Sequence, residues 1–305
     1  MITEEERVST DGENLAEVMS ERRQLMALAF RMLGTLGDAE DAVQEGYFRW
    51  YRLDDADRAA IENPQAWLTR VVSRICLDVL GSARARRENY VGEWLPEPVP
   101  ADLFLGTPVA ADPLDAVALD DAVSMALLVV LEAMTPAERV SFVLHDVFAV
   151  PFPEIAEIVG RSPAAVRQLA TSGRRRVQDG RAVPVERSEH DAVVAAFGRA
   201  CREGDLASLM ALLDPAVTLR SDGGGLVRAA INPVHGPSNV ARFVLGVLAK
   251  QAALDFVEEA TADGLGYSMR LGDRVYGITN LRVEAGLVTD VWLVVTPEKL
   301  GAWQG

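Results

Sequence analysis

The sequence has few of the residues that build disulfides and metal sites, and it lacks a long apolar run. It contains 2 cysteines and 3 histidines among 305 residues. Cys76 and Cys201 each lie in an apolar helical pattern, which favours buried thiols. No apolar run is long enough to cross a bilayer. The acidic start, Met1–Glu6, differs from the basic and then apolar pattern of a signal peptide. We therefore expect a cytoplasmic protein with no cofactor, no metal and no membrane contact.

Basic residues are outnumbered, since 30 Lys and Arg stand against 45 Asp and Glu and give a formal net charge of −15. The charge is segregated along the chain. Residues 161–187 hold seven Arg against Asp179 and Glu186, whereas residues 91–135 hold eight carboxylates and no basic residue. A negative chain is repelled by DNA phosphates. We therefore expect weak DNA binding by the free protein and dependence on a partner that supplies most of the DNA contact.

The segment from Pro153 to Val177 predicts a helix-turn-helix. Pro153 lies in the first turn of a short helix, Gly160 ends that helix, and Ser162 caps the next one. The second helix has one apolar face and one Arg/Gln/Thr face, as reading of the major groove requires. An ordinary helical hairpin with a solvated basic face is the alternative. The predicted DNA-binding residues are Ser162, Ala164, Arg167, Gln168, Thr171, Arg174 and Arg175.

Two further helices are predicted upstream. Asp38 is expected to cap a helix through Arg52 whose exposed face is acidic and then basic. Asn63 is expected to cap a second helix, which buries its apolar residues and continues into the basic stretch from Arg84 to Arg87.

These two helices and the helix-turn-helix, in this order and spacing, resemble domains two and four of an extracytoplasmic-function sigma factor of bacterial RNA polymerase. The resemblance covers about the first 180 residues. It implies binding to the clamp region of the largest polymerase subunits and to the −10 and −35 promoter elements. The implied polymerase contacts are Asp38, Asp41, Gln44, Glu45 and Arg49, and the implied −10 contacts are Trp67, Arg70, Arg74, Ser82 and Arg84.

A proline-rich segment separates the two helical domains. Residues 93–100 contain three prolines and are expected to be extended. A plain spacer is one interpretation. However, Trp94 and Leu95 have no use in a spacer that touches nothing, so we favour a docking segment.

After Pro184 the pattern changes to helices followed by strands. Helices are predicted over Glu189–Glu203 and Ser238–Lys250, with Asp205 capping another between them. Helices followed by antiparallel strands predict an α+β domain with a curved sheet around the helices. The predicted strands are Val217–Ser221, Asp255–Ala262, Leu265–Leu271, Arg274–Thr279 and a hairpin over Leu281–Val295.

This order resembles the SnoaL-like cone of polyketide cyclases and ketosteroid isomerases. A subgroup of extracytoplasmic-function sigma factors carries such a domain at its C-terminus. The subgroup's Trp-Leu-Pro-Glu-Pro linker and Asp-Gly-Gly-Gly turn are matched at Trp94–Pro98 and Asp222–Gly225, and its Asn-Pro-Asp-Lys-Leu tail is partly matched at Thr296–Leu300. The resemblance implies that this domain acts in cis and replaces a separate anti-sigma protein. The implied contacts are Trp94, Leu95, Pro96, Glu97, Asp222, Gly223, Gly224, Pro297, Lys299 and Leu300.

The chain departs from the family pattern at several positions. Val79 and Gly81 stand where the family has basic residues, which predicts weaker promoter melting or a changed salt dependence. Leu226 follows the glycine turn in place of Lys. Gly173 lies within the predicted DNA-reading helix and costs about 1 kcal/mol of helix propensity relative to Ala.

The sequence thus predicts a multidomain sigma factor that is not an enzyme, starts transcription at chosen promoters and is regulated in cis. An enzyme or a small-molecule sensor in the C-terminal domain is one alternative, although Asp222, His235, Tyr267 and Tyr276 show no spacing that demands proton transfer. A simple repressor is another, and it leaves the upstream helices unexplained. The predicted domains are sigma domain two over 14–90, the linker over 91–119, sigma domain four over 120–183 and the SnoaL-like domain over 186–305.

Overall fold

The structure is a computed structural model that describes residues 22–87, 90–104, 124–180 and 185–304. Predictions that fall on other residues, including 14–21, most of the linker beyond 104 and the start of the predicted domain four, lie outside the described residues. The chain divides into two compact units. The first unit consists of Met1–Ser82, Phe104–Ala116 and Met134–Arg174, and the second of Ala83–Leu103, Val117–Ala133 and Arg175–Gly305.

The described helices have lengths from 5 to 24 residues. A π-helical turn, Val143–Val147, directly follows the helix Pro136–Phe142. The helices are α1 (residues 22–33), α2 (Leu36–Tyr51), α3 (Asp55–Ala59), α4 (Pro64–Arg87), α5 (Met125–Glu132), α6 (Pro136–Phe142), α7 (Phe152–Val159), α8 (Pro163–Gly180), α9 (Arg187–Glu203), α10 (Leu206–Ala211) and α11 (Pro237–Lys250).

The cap predicted for α2 is wrong by three residues. The helix begins at Leu36, and Thr35 is its cap, with extended backbone and a side-chain oxygen that accepts from the Asp38 N–H. Thr35 also donates its hydroxyl to the Asp38 carboxylate at 2.7 Å. Asp38 therefore serves in the first turn, where its charge still suits the helix dipole.

The caps predicted at Asn63, Ser162 and Asp205 and the helix end predicted at Gly160 are confirmed. The Asn63 side chain accepts from the Ala66 N–H at 3.0 Å. Thr135 forms a full capping box at the start of α6. Ser162 accepts at the start of α8, and Gly160 ends α7 with φ of 69°, the left-handed conformation that glycine adopts without strain. Local sequence thus defines the ends of the helix-turn-helix.

The core of the first unit forms around α1. Phe30 and Met32 are fully buried there. Arg139 of α6 is also buried, at 2% exposure, and donates Nη1 to the Met32 carbonyl oxygen at 2.8 Å. Carbonyl groups at a helix C-terminus lack helical partners, so a cation there is favourable. Helices distant in sequence are joined in this way within the unit.

The second unit contains a sheet in the order β2-β1-β6-β5-β4-β3. Its described pairs are antiparallel except β1 with β6, which run parallel. The expectation of a purely antiparallel sheet is therefore corrected for this pair, because the last strand returns beside the first in the same direction. The strands are β1 (Leu213–Asp222), β2 (Val234–His235), β3 (Asp255–Thr261), β4 (Gly264–Leu271), β5 (Arg274–Glu284) and β6 (Leu287–Val294).

Strand β5 is continuous where the sequence predicted a break between Thr279 and Leu281. Asn280 lies in the middle of the strand and is 2% exposed. Asparagine is depleted in strands, but this one donates a hydrogen bond to Asp263 at 2.6 Å. The strand continues through Asn280 by pairing with β6, and Asp263 gives the buried Nδ2 group a partner that the sequence does not reveal.

Both faces of the sheet are covered. Val291 belongs to the core formed with α9 and α11, whereas the next residue, Trp292, belongs to a separate cluster on the opposite face. The apolar run from Val291 to Val295 is the pattern of a strand that is buried on both sides. The two short 3-10 turns that end the chain, Pro297–Lys299 and Gly301–Trp303, help to cover this second face, where Trp303 packs on β5.

Candidate nucleic-acid interface and linker-binding site

Helix α8 presents the polar face that the sequence predicted. Its buried side includes Val166 and Ala170. The predicted residues Ser162, Ala164, Arg167, Gln168, Thr171, Arg174 and Arg175 are all exposed.

Several of these exposed side chains are held by neighbours. Arg174 donates Nε to Asp146 at 2.7 Å. The Arg167 guanidinium lies 5.1 Å from the centre of the Phe152 ring, within the range of a cation–π contact. The face is thus partly preorganised before any DNA is present.

Gly173 in the same helix has a packing role that the sequence did not show. A Cβ at this position would lie 2.9 Å from the Cβ of Phe142. Helix α8 therefore packs against the end of α6 more closely than any larger residue allows. The glycine lowers helix propensity, but the absence of a Cβ is what allows this close contact.

The predicted −10 residues lie along α4. The Trp67 ring packs edge-on against Trp50, with ring centres 5.3 Å apart. Ser82 is exposed and donates to the carbonyl oxygen of its own helix at Val79. The helix backbone passes through Arg84, whose side chain lies outside the described residues.

Two of the predicted −10 residues contact the first helix of the helix-turn-helix within the first unit. Arg70 forms an ion pair with Glu157 at 3.5 Å. Arg74 donates to the Ile158 carbonyl oxygen. Both arginines remain about half exposed, so the contacts are weak individually. Two of the side chains predicted to contact the −10 element are thus engaged within the unit.

The predicted polymerase-binding face lies on α2. Asp41, Gln44 and Arg49 are exposed, and Arg49 pairs with the half-buried Glu45 at 2.9 Å. Asp38 is half-buried, and its carboxylate accepts a hydrogen bond from the Thr35 hydroxyl.

Two aromatic residues extend this face. Phe48 is 54% exposed and Tyr51 is 69% exposed. The predicted polymerase contacts did not include these two residues. An aromatic side chain on the polar face of an amphipathic helix is the sequence signal that could have indicated them.

The described part of the proline-rich linker is extended, as predicted, and is buried within the second unit. Leu95 is 1% exposed and Val99 is 2% exposed. Trp94 is only half-buried. The buried anchor is therefore Leu95, which packs with Met125, Trp292 and Val294.

The centre of the linker-binding site is the carboxylate of Asp222, which is fully buried. It accepts the Leu95 N–H at 2.9 Å, the Tyr90 hydroxyl at 2.6 Å and the Thr296 hydroxyl at 2.7 Å. It also accepts the Gly224 N–H at 3.0 Å, where the glycine has φ of 63° and turns the loop back. A buried carboxylate is stable only when it is paired and hydrogen-bonded, and this one is both.

Lys299 completes the site from the C-terminal tail. Its Nζ donates to Asp222 at 2.7 Å and to the Leu95 carbonyl oxygen at 2.6 Å. The same ammonium lies 4.1 Å from the centre of the Trp94 ring. Burial alone would raise the pKa of Asp222, but Lys299, the Leu95 N–H and Tyr90 together hold the pKa below its usual value. The ion pair of Asp222 and Lys299 therefore binds both the N–H and the carbonyl oxygen of Leu95.

The linker continues along the unit to the edge of the sheet. Trp303 donates Nε1 to the Pro98 carbonyl oxygen at 2.8 Å. Pro100 then forms an antiparallel bridge with Thr261 at the end of β3. The linker thus adds main-chain hydrogen bonds to an edge strand, a common way for sheets to bind extended segments.

The predicted linker-contact residues are brought together at this site. Pro96 and Glu97 are buried beside Leu95 in the linker. Gly223 and Gly224 form the turn that follows Asp222. In the C-terminal tail, Lys299 and Leu300 are buried and Pro297 is exposed. Sequence reasoning missed Tyr90, Trp292 and Trp303, and it included Thr296 only as part of the tail motif. The apolar run at Val291–Val295 could have indicated Trp292.

The four residues considered for proton transfer do not form one site. Asp222 is bound to Lys299, and His235 lies on the edge strand β2 beside Thr218. Tyr267 is buried and donates to the Val194 carbonyl oxygen at 3.1 Å, and Tyr276 is exposed.

The cavity between the sheet and its helices is small and apolar. It has space of about 20 Å³, little more than one water molecule needs. Its lining includes Phe197, Phe243 and Phe256, and its one polar lining residue is Thr279.

The described residues contain no group of three His, Cys, Asp or Glu that could hold a metal ion. Within the same ranges, none of the helices combines the length and apolarity that a bilayer crossing requires. Cys76 and Cys201 are free and buried, as predicted. Burial raises the pKa of Cys201 to about 12.

The chain matches two sequence profiles of known protein regions. The profile of Sigma-70 region 2 matches residues 18–87, and that of Sigma-70, region 4 matches residues 124–177. Helices α1, α2 and α4 fall in the first match, and the helix-turn-helix falls in the second.

Relatives from Mycobacterium tuberculosis match nearly the whole chain. The ECF RNA polymerase sigma factor SigJ is 40% identical over 300 residues, which cover 93% of this chain and 92% of SigJ. The probable ECF RNA polymerase sigma factor SigI is 38% identical over 290 residues, 92% of each chain. The crystal structure of SigJ matches with a TM-score of 0.72 and 37% identity, covering 94% of this chain and 98% of that chain. The similarity therefore extends through the C-terminal α+β domain.

Proposed function

The chain belongs to the extracytoplasmic-function sigma factors of bacterial RNA polymerase, and we propose that its C-terminal SnoaL-like domain regulates it in cis by binding the linker between its two promoter-reading domains. A sigma factor binds RNA polymerase core and directs it to promoter DNA. Such a protein acts in transcription initiation rather than as an enzyme.

The roles of the individual surfaces are part of this proposal. The exposed face of α2, including Asp41, Gln44 and Arg49, binds the clamp region of polymerase. The α4 residues Arg70 and Arg74 contact the −10 element, and the polar face of α8 reads the −35 element. The exposure of these faces supports the assignment, as does their position within the two Sigma-70 matches.

The observation that carries cis regulation is the ion pair of Asp222 and Lys299, which binds both backbone groups of Leu95. Domains two and four must separate to span two promoter elements. A domain that binds the linker between them therefore limits their separation. Because the regulator is part of the same chain, we also propose that no separate anti-sigma protein is needed.

The contacts of the −10 arginines indicate the direction of regulation. Arg70 and Arg74 are engaged by Glu157 and Ile158 of α7. A form with these contacts cannot at the same time offer both side chains to the −10 strand. Loosening the linker should therefore favour the open form and raise transcription.

The experiment compares Trp94→Ala with wild type in transcription by reconstituted polymerase holoenzyme. Loss of a partly buried Trp–Lys contact costs about 2 kcal/mol, which raises output by up to about thirtyfold if the closed form dominates. The promoters chosen should be the same. Val91→Ala is the matched control, since Val91 lies on the same linker and is 62% exposed.

Equal output from Trp94→Ala and wild type, at equal protein level and core binding, would refute cis regulation. A fall in output would show that the domain braces the active form, and would contradict inhibition. Full activation in a reconstituted system without any further protein supports the absence of a separate anti-sigma factor.

We propose further that the SnoaL-like domain is a binding domain and not an enzyme. Its cavity has little more room than one water molecule needs, and Thr279 is its one polar lining residue. Residues capable of proton transfer lie apart, with Asp222 committed to the linker. A soaked or added small molecule that opened this cavity and changed transcription would favour the sensor alternative.

A further inference from the structure

Helix α5 is the first helix of the region-four match, yet it packs within the second unit. Met125 lies in an apolar cluster with Leu95 and Trp292, and Val129 packs against the same cluster one turn later. The helix therefore rests on the outer face of the sheet beside the bound linker. This contact involves domain four directly and does not depend on the linker sequence alone.

The N-terminus of α5 is bound by a side chain from the SnoaL-like domain. The Met125 N–H donates to Asp263 Oδ1 at 2.8 Å, and Ser124 accepts from the Leu127 N–H at 3.2 Å. The first N–H groups of a helix have no helical partners, and a carboxylate there is favoured by the helix dipole. Asp263 thus supplements the local cap from 138 residues away in sequence.

Asp263 is itself fixed in position. It lies in the two-residue turn between β3 and β4, where its N–H donates to Thr261 at 3.2 Å. Asn280 donates Nδ2 to its second carboxylate oxygen at 2.6 Å. The carboxylate can therefore receive the helix without first becoming ordered.

Burial raises the pKa of Asp263 to about 6, and hydrogen bonds from Asn280 and Met125 and the nearby His190 oppose the rise. This carboxylate is buried at an energetic cost, and its Oδ1 accepts a hydrogen bond from the first N–H of α5, which indicates a role beyond closing the turn.

We propose that Asp263, positioned by Asn280, is a second anchor through which the SnoaL-like domain holds the first helix of domain four. The proposal rests on the cis regulation proposed above and adds a contact that bypasses the linker. Asp263 acts as a positioning residue in this regulation.

Helix α5 is suited to transmit such a restraint. Besides Met125, Leu128 and Leu131 of this helix are buried, so side chains along its whole length are packed. Residues 133–135 connect α5 to α6, and so short a connection leaves little slack. A restraint on α5 therefore limits where the rest of domain four can move.

The test measures hydrogen exchange at residues 125–127 in the full-length protein. Asp263→Ala removes the acceptor and should speed exchange there by about fivefold, the effect of losing a helix cap. It should also raise holoenzyme transcription, as Trp94→Ala does. Asp263→Asn keeps an acceptor oxygen for Met125 and can bond to the amide of Asn280, so it should retain most of the protection.

Asp273→Ala is the matched control, because Asp273 occupies the same kind of two-residue turn in the next hairpin and is exposed. Exchange at 125–127 that is unchanged in Asp263→Ala, or equally fast in Asp273→Ala, would overturn the anchor. Equal exchange in Asp263→Asn and Asp263→Ala would also contradict it.

These experiments distinguish a failure of the proposed cis regulation from a failure of the proposed Asp263 anchor. If Trp94→Ala leaves transcription unchanged while Asp263→Ala speeds exchange at α5, the anchor stands as a contact and the regulation falls. If Trp94→Ala raises transcription and Asp263→Ala has no effect on exchange, the linker site stands and the anchor falls.

Discussion

At the scale of single residues, the interaction of Asp222 with Lys299 organises the linker-binding site. Asp222 is fully buried and Lys299 is 6% exposed, and Lys299 Nζ lies 2.7 Å from Asp222 Oδ2. Such a pair adds little net stability over an apolar pair of the same size, but removing one partner leaves a buried charge without compensation. The pair therefore acts mainly by specifying which backbone it binds.

Lys299→Met is predicted to destabilise the C-terminal domain by about 3–5 kcal/mol, because it leaves the Asp222 carboxylate unpaired. Asp222→Asn combined with Lys299→Met should recover most of that loss. Urea unfolding of the three proteins checks both statements. A double variant as unstable as the single one would show that the charge is not the cause.

The pH dependence of this pair has a defined sign. The pKa of Asp222 in the folded protein lies below its ordinary value of 3.8. The stability that the ionised carboxylate contributes is therefore present above about pH 4 and is lost as pH falls through the lower, folded pKa. The destabilisation by Lys299→Met should accordingly be smaller in acid, since a protonated Asp222 needs no counter-charge.

At the scale of elements, α8 combines a buried face fixed by Gly173 with an exposed face that carries Arg167 near its start. Residues near the N-terminus of a recognition helix meet base edges. Arg167→Ala should therefore cost about 1–3 kcal/mol of promoter binding, concentrated on one −35 base pair. Holoenzyme binding to a set of promoters with single −35 substitutions measures this.

Arg175→Ala is the comparison for that experiment, since Arg175 lies two turns further along the exposed face. A phosphate contact there predicts a uniform loss across all promoters and a smaller salt dependence. If Arg167→Ala also weakened binding equally at all promoters, Arg167 would contact a phosphate rather than a base.

At the scale of the whole molecule, the charge of −15 opposes DNA binding by the free chain. The isolated protein should bind a promoter duplex no better than about 10⁻⁶ M at physiological salt, the range of non-specific binding, and should gain specificity with polymerase core. Fluorescence anisotropy with and without core measures both. Tight, sequence-specific binding by the free chain would instead support a repressor.

Much of the molecule follows from local sequence. The ends of α6, α7 and α8 are determined by Thr135, Gly160 and Ser162, because caps and left-handed glycines act within a few residues. The fold class of the C-terminal domain follows from the order of its helices and strands. The exposed Arg/Gln/Thr face of α8 follows from helical periodicity.

Only the tertiary structure decided what those elements bind. The buried amide of Asn280 in β5 donates to Asp263, and the first N–H of α5 donates to the same carboxylate from a distant part of the chain. The engagement of Arg70 by Glu157 likewise joins residues 87 positions apart in the chain. Local periodicity does not reveal such pairings, because they depend on how strands and helices pack after folding. The sequence by itself therefore determined the family, the helices and the reading face, and tertiary packing decided how the C-terminal domain holds the linker and α5.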